Sequence, residues 1–382
     1  MPVFAGSSKS FLGWARMPSK KTNPDFLLII VTLALLATGL LMVFSASEIV
    51  AEYKFNDAFY FLKRQLLFAG LGVAAMFFVM RIDYWTWRAW AKTILIICFV
   101  LLVLVLIPGI GLERNGSRSW IGVGAFSIQP SEFIKMALIA YLAKFLSENQ
   151  KYITTFKKGM LPALALVFVA FGMIMLQPDL GTGTVMLGTC IIMIFVSGAR
   201  IAHFVMLGLL GVGGFVALIL SAPYRIARIT SFLDPWSDPQ GKGFQIIQSL
   251  LAIGPGGLFG MGLGESKQKF HYLPEPQNDF IFAILSEELG FIGGTFVLIL
   301  FALLLWRGIR IALGAPDLYG SLLAVGIISM IAIQVMINIS VVIGLIPVTG
   351  ITLPFISYGG SSLTLMLVAV GVLLNISRHS RL

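Results

Sequence analysis

The sequence predicts an all-α polytopic membrane protein of about ten transmembrane helices, and three observations carry that prediction. Of its 382 residues, 58% are hydrophobic and only 12% charged, where a soluble domain carries about a quarter. Its apolar runs approach or reach the roughly 20 residues that take a helix across about 30 Å of hydrocarbon. They are continuous rather than alternating, which is the helical pattern, and a helix satisfies its own backbone in lipid.

In chain order the spans fall at 26–44, 66–80, 93–110, 131–145, 160–176, 181–196, 201–219, 280–305, 319–345 and 354–375. The first is too long for the apolar core of a signal peptide and reads as a retained span. Lys9, Arg16, Lys20 and Lys21 precede it, Arg81, Arg88 and Lys92 follow the second, and Lys144, Lys151, Lys157 and Lys158 follow the fourth. The positive-inside bias places these in the cytoplasm. Arg200, Arg307, Arg310, Arg378 and Arg381 fall on the same side, so both termini are expected there. Residues 1–25 then form a cytoplasmic segment, 26–376 the membrane domain and 377–382 a cytoplasmic tail.

Two outward connections stand out. The stretch 111–129 is polar and Gly-rich, and 221–279 is far longer than an ordinary connection. Within the second, 244–259 is apolar but broken by Gly254, Pro255, Gly256 and Gly257, which suits an amphipathic or re-entrant segment. The net charge of +10 is not gathered into a basic stripe with interleaved aromatics, so nucleic acid is not expected as a partner. Cys98 and Cys190 both sit in apolar runs and suggest neither a disulfide nor a metal site.

Few acidic residues are available, so each can be weighed. Asp25, Asp83, Glu148 and Asp317 lie at inner membrane edges and read as solvated or interfacial, and Glu48, Glu52 and Asp57 read as an exposed outer loop. Glu132 and Lys135 are three apart at the start of the fourth span, hence on one helical face. They read either as an internal ion pair or as a cation placed for an anionic headgroup. Asp179 reads as a helix cap or a substrate contact.

Asp279 is delivered by a Pro274-x-Pro276 turn to the mouth of an apolar helix. There it reads either as an N-cap or as a general base whose proton affinity is raised by desolvation. Glu287 and Glu288, two turns deeper, are expected to bond to neighbouring spans. Outer-face basic residues Arg114, Arg118, Arg225, Arg228, Lys242, Lys267 and Lys269 would suit either a lipid phosphate or anionic headgroups in general.

Five strings occur here in one order: Gly116-Ser117-Arg118-Ser119-Trp120, Gln129-Pro130-Ser131-Glu132-Phe133-x-Lys135, Gln177-Pro178-Asp179-x-Gly181-Thr182, Pro274-x-Pro276-x-x-Asp279-Phe280-Ile281-Phe282 and Pro354-Phe355-Ile356-Ser357-Tyr358-Gly359-Gly360-Ser361-Ser362. In them the chain resembles the SEDS (shape, elongation, division and sporulation) proteins, from about Lys20 onward. The resemblance implies a peptidoglycan glycosyltransferase that polymerises lipid II into glycan strands outside the bacterial cytoplasmic membrane, for spore cortex or septal wall. It implies a class B penicillin-binding protein as the transpeptidase partner and a septal or forespore outer membrane location.

It places catalysis on Asp279 and substrate contact on Glu132, Lys135, Arg118, Trp120, Gln129 and Asp179. The departing pyrophosphate would be met by an arginine, by Lys135 or by a divalent cation, magnesium or manganese, whose ligands are not assigned. The rival reading is a lipid II flippase. Asp279 at the outer mouth favours the enzyme, because a transporter places its charge nearer the midplane. Residues 1–18 lie outside the resemblance, and Glu265 stands where an uncharged polar residue is expected.

Overall fold

The computed structural model describes residues 23–114, 117–123, 126–220, 232–241, 243–270 and 273–380. Lys9, Arg16, Lys20, Lys21, Arg225, Arg228, Lys242 and Arg381 lie outside the described residues. Among these residues the helices are α1 (Phe26–Phe55), α2 (Tyr60–Arg81), α3 (Tyr84–Leu106), α4 (Pro130–Glu148), α5 (Leu161–Met175), α6 (Leu180–Val196), α7 (Ile201–Leu220), α8 (Phe244–Ile253), α9 (Ile281–Gly314), α10 (Leu318–Val342) and α11 (Gly360–Ser377).

A helix lies at each predicted span. By length and composition, seven helices among the described residues are long and apolar enough to cross a membrane: α1, α2, α3, α5 with its preceding turn, α9, α10 and α11. The helix α6 is apolar but shorter, and α4 carries Glu132, Lys135, Lys144 and Glu148 along its length.

The all-helical expectation needs one addition. The connection before α4 folds into three antiparallel strands, β1 (Gly111–Arg114), β2 (Ser117–Val123) and β3 (Phe126–Ile128), in the order β1-β2-β3. The helix α1 also runs to Phe55, past its expected end near 44, because residues 45–55 contain no Gly or Pro to stop it. Glu48 and Glu52 are therefore helical rather than in a loop. The helix stops at Asn56, whose φ of 52° is the left-handed closure that Asn tolerates.

The acidic residues at the far end of the bundle do structural work. Asp25 caps α1, accepting from the Leu28 amide at 3.1 Å, and pairs with Arg307 of α9 at 2.7 Å. Asp83 and Asp317 cap α3 and α10, and Tyr84 donates to Asp317. Glu148, paired with Arg88 at 3.1 Å, is exposed and Asp83 and Asp317 are half-buried, while Asp25 is buried and so departs from the solvated or interfacial reading.

Two breaks in the helices shape the other end. The run 280–305 reads as one uninterrupted span, yet α9 is interrupted at Gly290 (φ 64°). The groups freed there are taken up by the connection before α9: Met261 donates to Glu287 O at 2.9 Å, Gly262 to Glu288 O at 3.1 Å, and Phe291 to Gly257 O at 2.9 Å. Backbone buried in a membrane must find such partners. The glycines are required by contact, since a Cβ on Gly260 would lie 2.1 Å from Glu288 O. The predicted amphipathic segment is therefore α8, with Ile246, Ile247, Ser249 and Ala252 buried, and its Gly-rich continuation threads the α9 break.

The tenth span was expected to begin at 354, but α11 begins at Gly360. Residues Pro354 to Ser357 form a buried turn instead. Buried amides hold it in place: Gln65 donates to Ser357 O of the turn at 3.1 Å, and Asn338 ties Ile351 O, just before the turn, to Asp279 O, both at 2.8 Å. Gly39 of α1 lets the turn approach, because a Cβ there would stand 2.3 Å from Phe355 O. Gly39→Ala should therefore lower stability by about 1–3 kcal/mol through overpacking. Thermal unfolding in detergent reads this as a fall in midpoint, and an unchanged midpoint would refute the contact.

Candidate active site

The sheet, the start of α4, the start of α6 and the connection before α9 meet at one end of the bundle around a cavity of about 600 Å³. Six of the seven residues predicted for the site line it: Trp120, Gln129, Glu132, Lys135, Asp179 and Asp279. Arg118 does not; its side chain turns to Glu113 at 3.6 Å.

The carboxylates around the cavity differ in what already occupies them. Glu132 is buried and accepts from Lys135 Nζ at 2.7 Å, and its Oε2 has no hydrogen-bond partner among the described residues. Asp179 caps α6 through Oδ1, which accepts from the Thr182 amide at 3.0 Å. Its Oδ2 accepts from Gln129 Nε2 at 3.1 Å and Ser131 Oγ at 3.2 Å. Asp179 is thus both a cap and part of the wall, with both carboxylate oxygens engaged. Glu275 accepts from Asn278 Nδ2 at 2.8 Å.

Asp279 is different. The position that caps α9 is Phe280, with no side-chain bond, so Asp279 is not the N-cap that spacing alone allowed. Asn338 holds its carbonyl, and among the described residues no side chain hydrogen-bonds its half-buried carboxylate. Desolvation, then the negative charge of Glu275, push its pKa up from 3.8 to about 6. The carboxylate faces Gly350, whose φ of 73° suits a residue without Cβ; a Cβ there would lie 3.8 Å from Asp279 Oδ2.

Glu287 and Glu288 do not line the cavity; they tie α9 to the connection before it and to α1. Glu287 accepts from Ser266 Oγ at 2.5 Å and the Lys267 amide at 2.9 Å. Glu288 takes Ser45 Oγ of α1 at 2.6 Å, with Lys269 Nζ 3.8 Å away. Lys269 therefore turns inward rather than screening a ligand. Glu265 is exposed and lies off the cavity. Arg64, Phe68, Gln334 and Tyr358 line the cavity but were not among the candidates. Tyr358 stands in the last of the five quoted strings, and the Lys63-Arg64 pair near the start of α2 was the signal for Arg64.

Residues 25–382 match the family of FtsW, RodA and SpoVE, described as cell cycle proteins. The chain belongs to this family. It is 77% identical over 365 residues to stage V sporulation protein E of Bacillus subtilis (strain 168), covering 96% of this chain and 100% of that one. It is 45% identical over 367 residues to a probable peptidoglycan glycosyltransferase FtsW of Trichlorobacter lovleyi, covering 96% of each.

Solved structures agree with the fold of this family member. A chain described under the structural coordination of polymerization and crosslinking by a peptidoglycan synthase complex matches with a TM-score of 0.78 at 33% identity, covering 93% of this chain and 98% of that one. Rod shape determining protein RodA of Thermus thermophilus matches at 0.70 and 31% identity, covering 94% and 98%.

Proposed function

We propose that this family member is a peptidoglycan glycosyltransferase that polymerises lipid II into glycan strands on the outer face of the cytoplasmic membrane. The observation that carries this reading is the unengaged Asp279 carboxylate, with raised proton affinity, in a polar cavity where the other acids are already bonded. Ten spans with both termini in the cytoplasm put that cavity outside. The pairing of Arg88 with Glu148 and of Arg307 with Asp25 at the opposite end supports this orientation.

In the reaction, the 4-hydroxyl oxygen of the acceptor sugar attacks the anomeric carbon of the lipid-linked donor. A new C–O bond forms as the bond from that carbon to the diphosphate oxygen breaks. The electron pair leaves with the polyprenyl diphosphate, and the hydroxyl proton passes to Asp279 before release to water. Attack opposite the leaving group inverts the anomeric centre. Lys135, fixed by Glu132, and the Gln129–Asp179–Trp120 wall orient the sugars. A diphosphate is a good leaving group, so no general acid is required.

Among the described residues no three His, Cys, Asp or Glu side chains gather as a metal site. The donor set fits a divalent cation only in the manner of magnesium, which takes one or two carboxylates and completes its shell with substrate phosphates. Glu275 and Asp279 would be those carboxylates, and such a cation would supply charge to the departing diphosphate.

A class B penicillin-binding protein is the proposed partner, supported by the synthase complex among the structural relatives. The sporulation relative supports a role in cortex or septal wall, at the septum or forespore outer membrane. The flippase alternative is not favoured, because relatives across 96% of the chain are named as glycosyltransferases.

The pH profile tests the base. Ionised Asp279 is the active form, so kcat/KM for lipid II should rise with pH through an apparent pKa of about 6. The same shift acts oppositely on stability. The protonated carboxyl favours folding below pH 3.8, and that contribution is lost as pH rises through about 6. A flat kcat/KM between pH 5 and 7.5, on the order of one unit either side of that value, would count against Asp279 as the base.

A further inference from the structure

Among the charged residues lining the cavity, two are cations, Arg64 and Lys135. Lys135 is neutralised by Glu132 at 2.7 Å. The neighbouring Lys63 is drawn to Asp57 at 2.8 Å, on the exposed side of α2. Arg64 lies 4.7 Å from the centroid of the Tyr60 ring, which supports its guanidinium without neutralising it. Among the described residues, Arg64 is thus the lining cation with no carboxylate partner.

The same face of α2 changes character along its length. Phe68, one turn after Arg64, lines the polar cavity and also an adjoining apolar groove of about 270 Å³. That groove is completed by Ile121, Gly122, Ser127 and Ile128 of the sheet, so it runs between α2 and β2–β3. Gly360 makes room for the Phe68 ring, since a Cβ there would come within 2.5 Å of it. Leu71, at i+7 from Arg64, is 55% exposed and carries the apolar surface onward toward lipid. From Arg64 to Leu71 the helix rises about 10 Å.

A cation without a partner followed by an apolar groove is complementary to a ligand with an anionic head joined to a hydrocarbon chain. We propose that this face of α2 seats the polyprenyl diphosphate of the lipid-linked substrate, with Arg64 on the diphosphate and Phe68 on the first isoprene units, the chain leaving between α2 and the sheet. The inference rests on the glycosyltransferase reading and adds where the leaving group is held. It also moves the anion-binding role from Arg118, which Glu113 occupies, to Arg64. A guanidinium suits a diphosphate because it offers paired donors to two oxygens.

The test is binding of undecaprenyl diphosphate and of undecaprenol to the full chain in nanodiscs, with lipid II polymerisation measured on the same preparations. Arg64→Gln should weaken diphosphate binding about 10- to 100-fold, as loss of a charge-assisted contact does. It should leave undecaprenol binding unchanged, with Arg64→Lys recovering part of the loss. Phe68→Ser should weaken both ligands. Wild-type diphosphate affinity in Arg64→Gln, or equal loss of both ligands, overturns the assignment while polymerisation by the wild type leaves the enzymatic reading standing. A wild-type chain that neither polymerises lipid II nor binds the diphosphate overturns both.

Discussion

Asp279→Asn is expected to lower lipid II polymerisation by about 10²- to 10⁴-fold, the range general-base catalysis contributes, while the protein folds as before. The two halves of that expectation come from one observation. The carboxylate makes no side-chain hydrogen bond among the described residues, and only its backbone carbonyl is held, by Asn338. An amide of the same shape therefore breaks nothing structural. It also removes a charge that folding disfavours near neutral pH, since the carboxyl is pushed up to about 6. The thermal midpoint at pH 7 should be unchanged or slightly raised. A variant that is inactive because it is unfolded would show a lost midpoint and would not support the base.

Lys135→Met should be the most damaging single change to stability in the site, costing about 3–5 kcal/mol, because it strands the Glu132 charge in a buried position. The side chains are 2% and 9% exposed, so solvent screens little of the effect. Adding Glu132→Gln to Lys135→Met should recover most of the loss, giving strong coupling in a double-mutant cycle. The cycle, read by chemical unfolding in detergent, also separates the two roles that spacing left open. A double variant that is stable and still polymerises lipid II makes the pair purely structural. One that is stable but inactive makes the ammonium part of the substrate site.

How much was visible beforehand depended on whether a feature leaves a mark in hydropathy or spacing. Helices appear at every apolar run, since the same burial that drives them writes the run into the sequence. The sheet was missed although Asn115-Gly116, a strong two-residue hairpin signal, stands between the paired Arg114 and Ser117. The break at Gly290 was read through although Glu287-Glu288 stand just before it and Gly293-Gly294 just after, because the partners that satisfy its freed backbone come from 257–262. The Pro354–Ser357 turn likewise looks like a helix start until Gln65 and Asn338 are seen bonding its surroundings.

Within the site, Glu132 and Lys135 were legible from a spacing of three. Spacing could not separate a capping from a catalytic aspartate. Asp179 and Asp279 both stand before apolar helices; the first caps its helix, and Phe280 holds the corresponding place in the second. Arg64 was passed over because the second span was expected to start at 66, which left it in the connection, whereas α2 begins at Tyr60 and brings it to the cavity wall.

The most direct test of the account supplies labelled lipid II to one leaflet only of proteoliposomes holding this chain and a class B penicillin-binding protein. With lipid II on the leaflet facing the cavity, glycan strands should form without any label crossing the bilayer. With lipid II confined to the other leaflet, no strands should form. Label crossing the membrane with no polymer made from either side would contradict the account and restore the transporter.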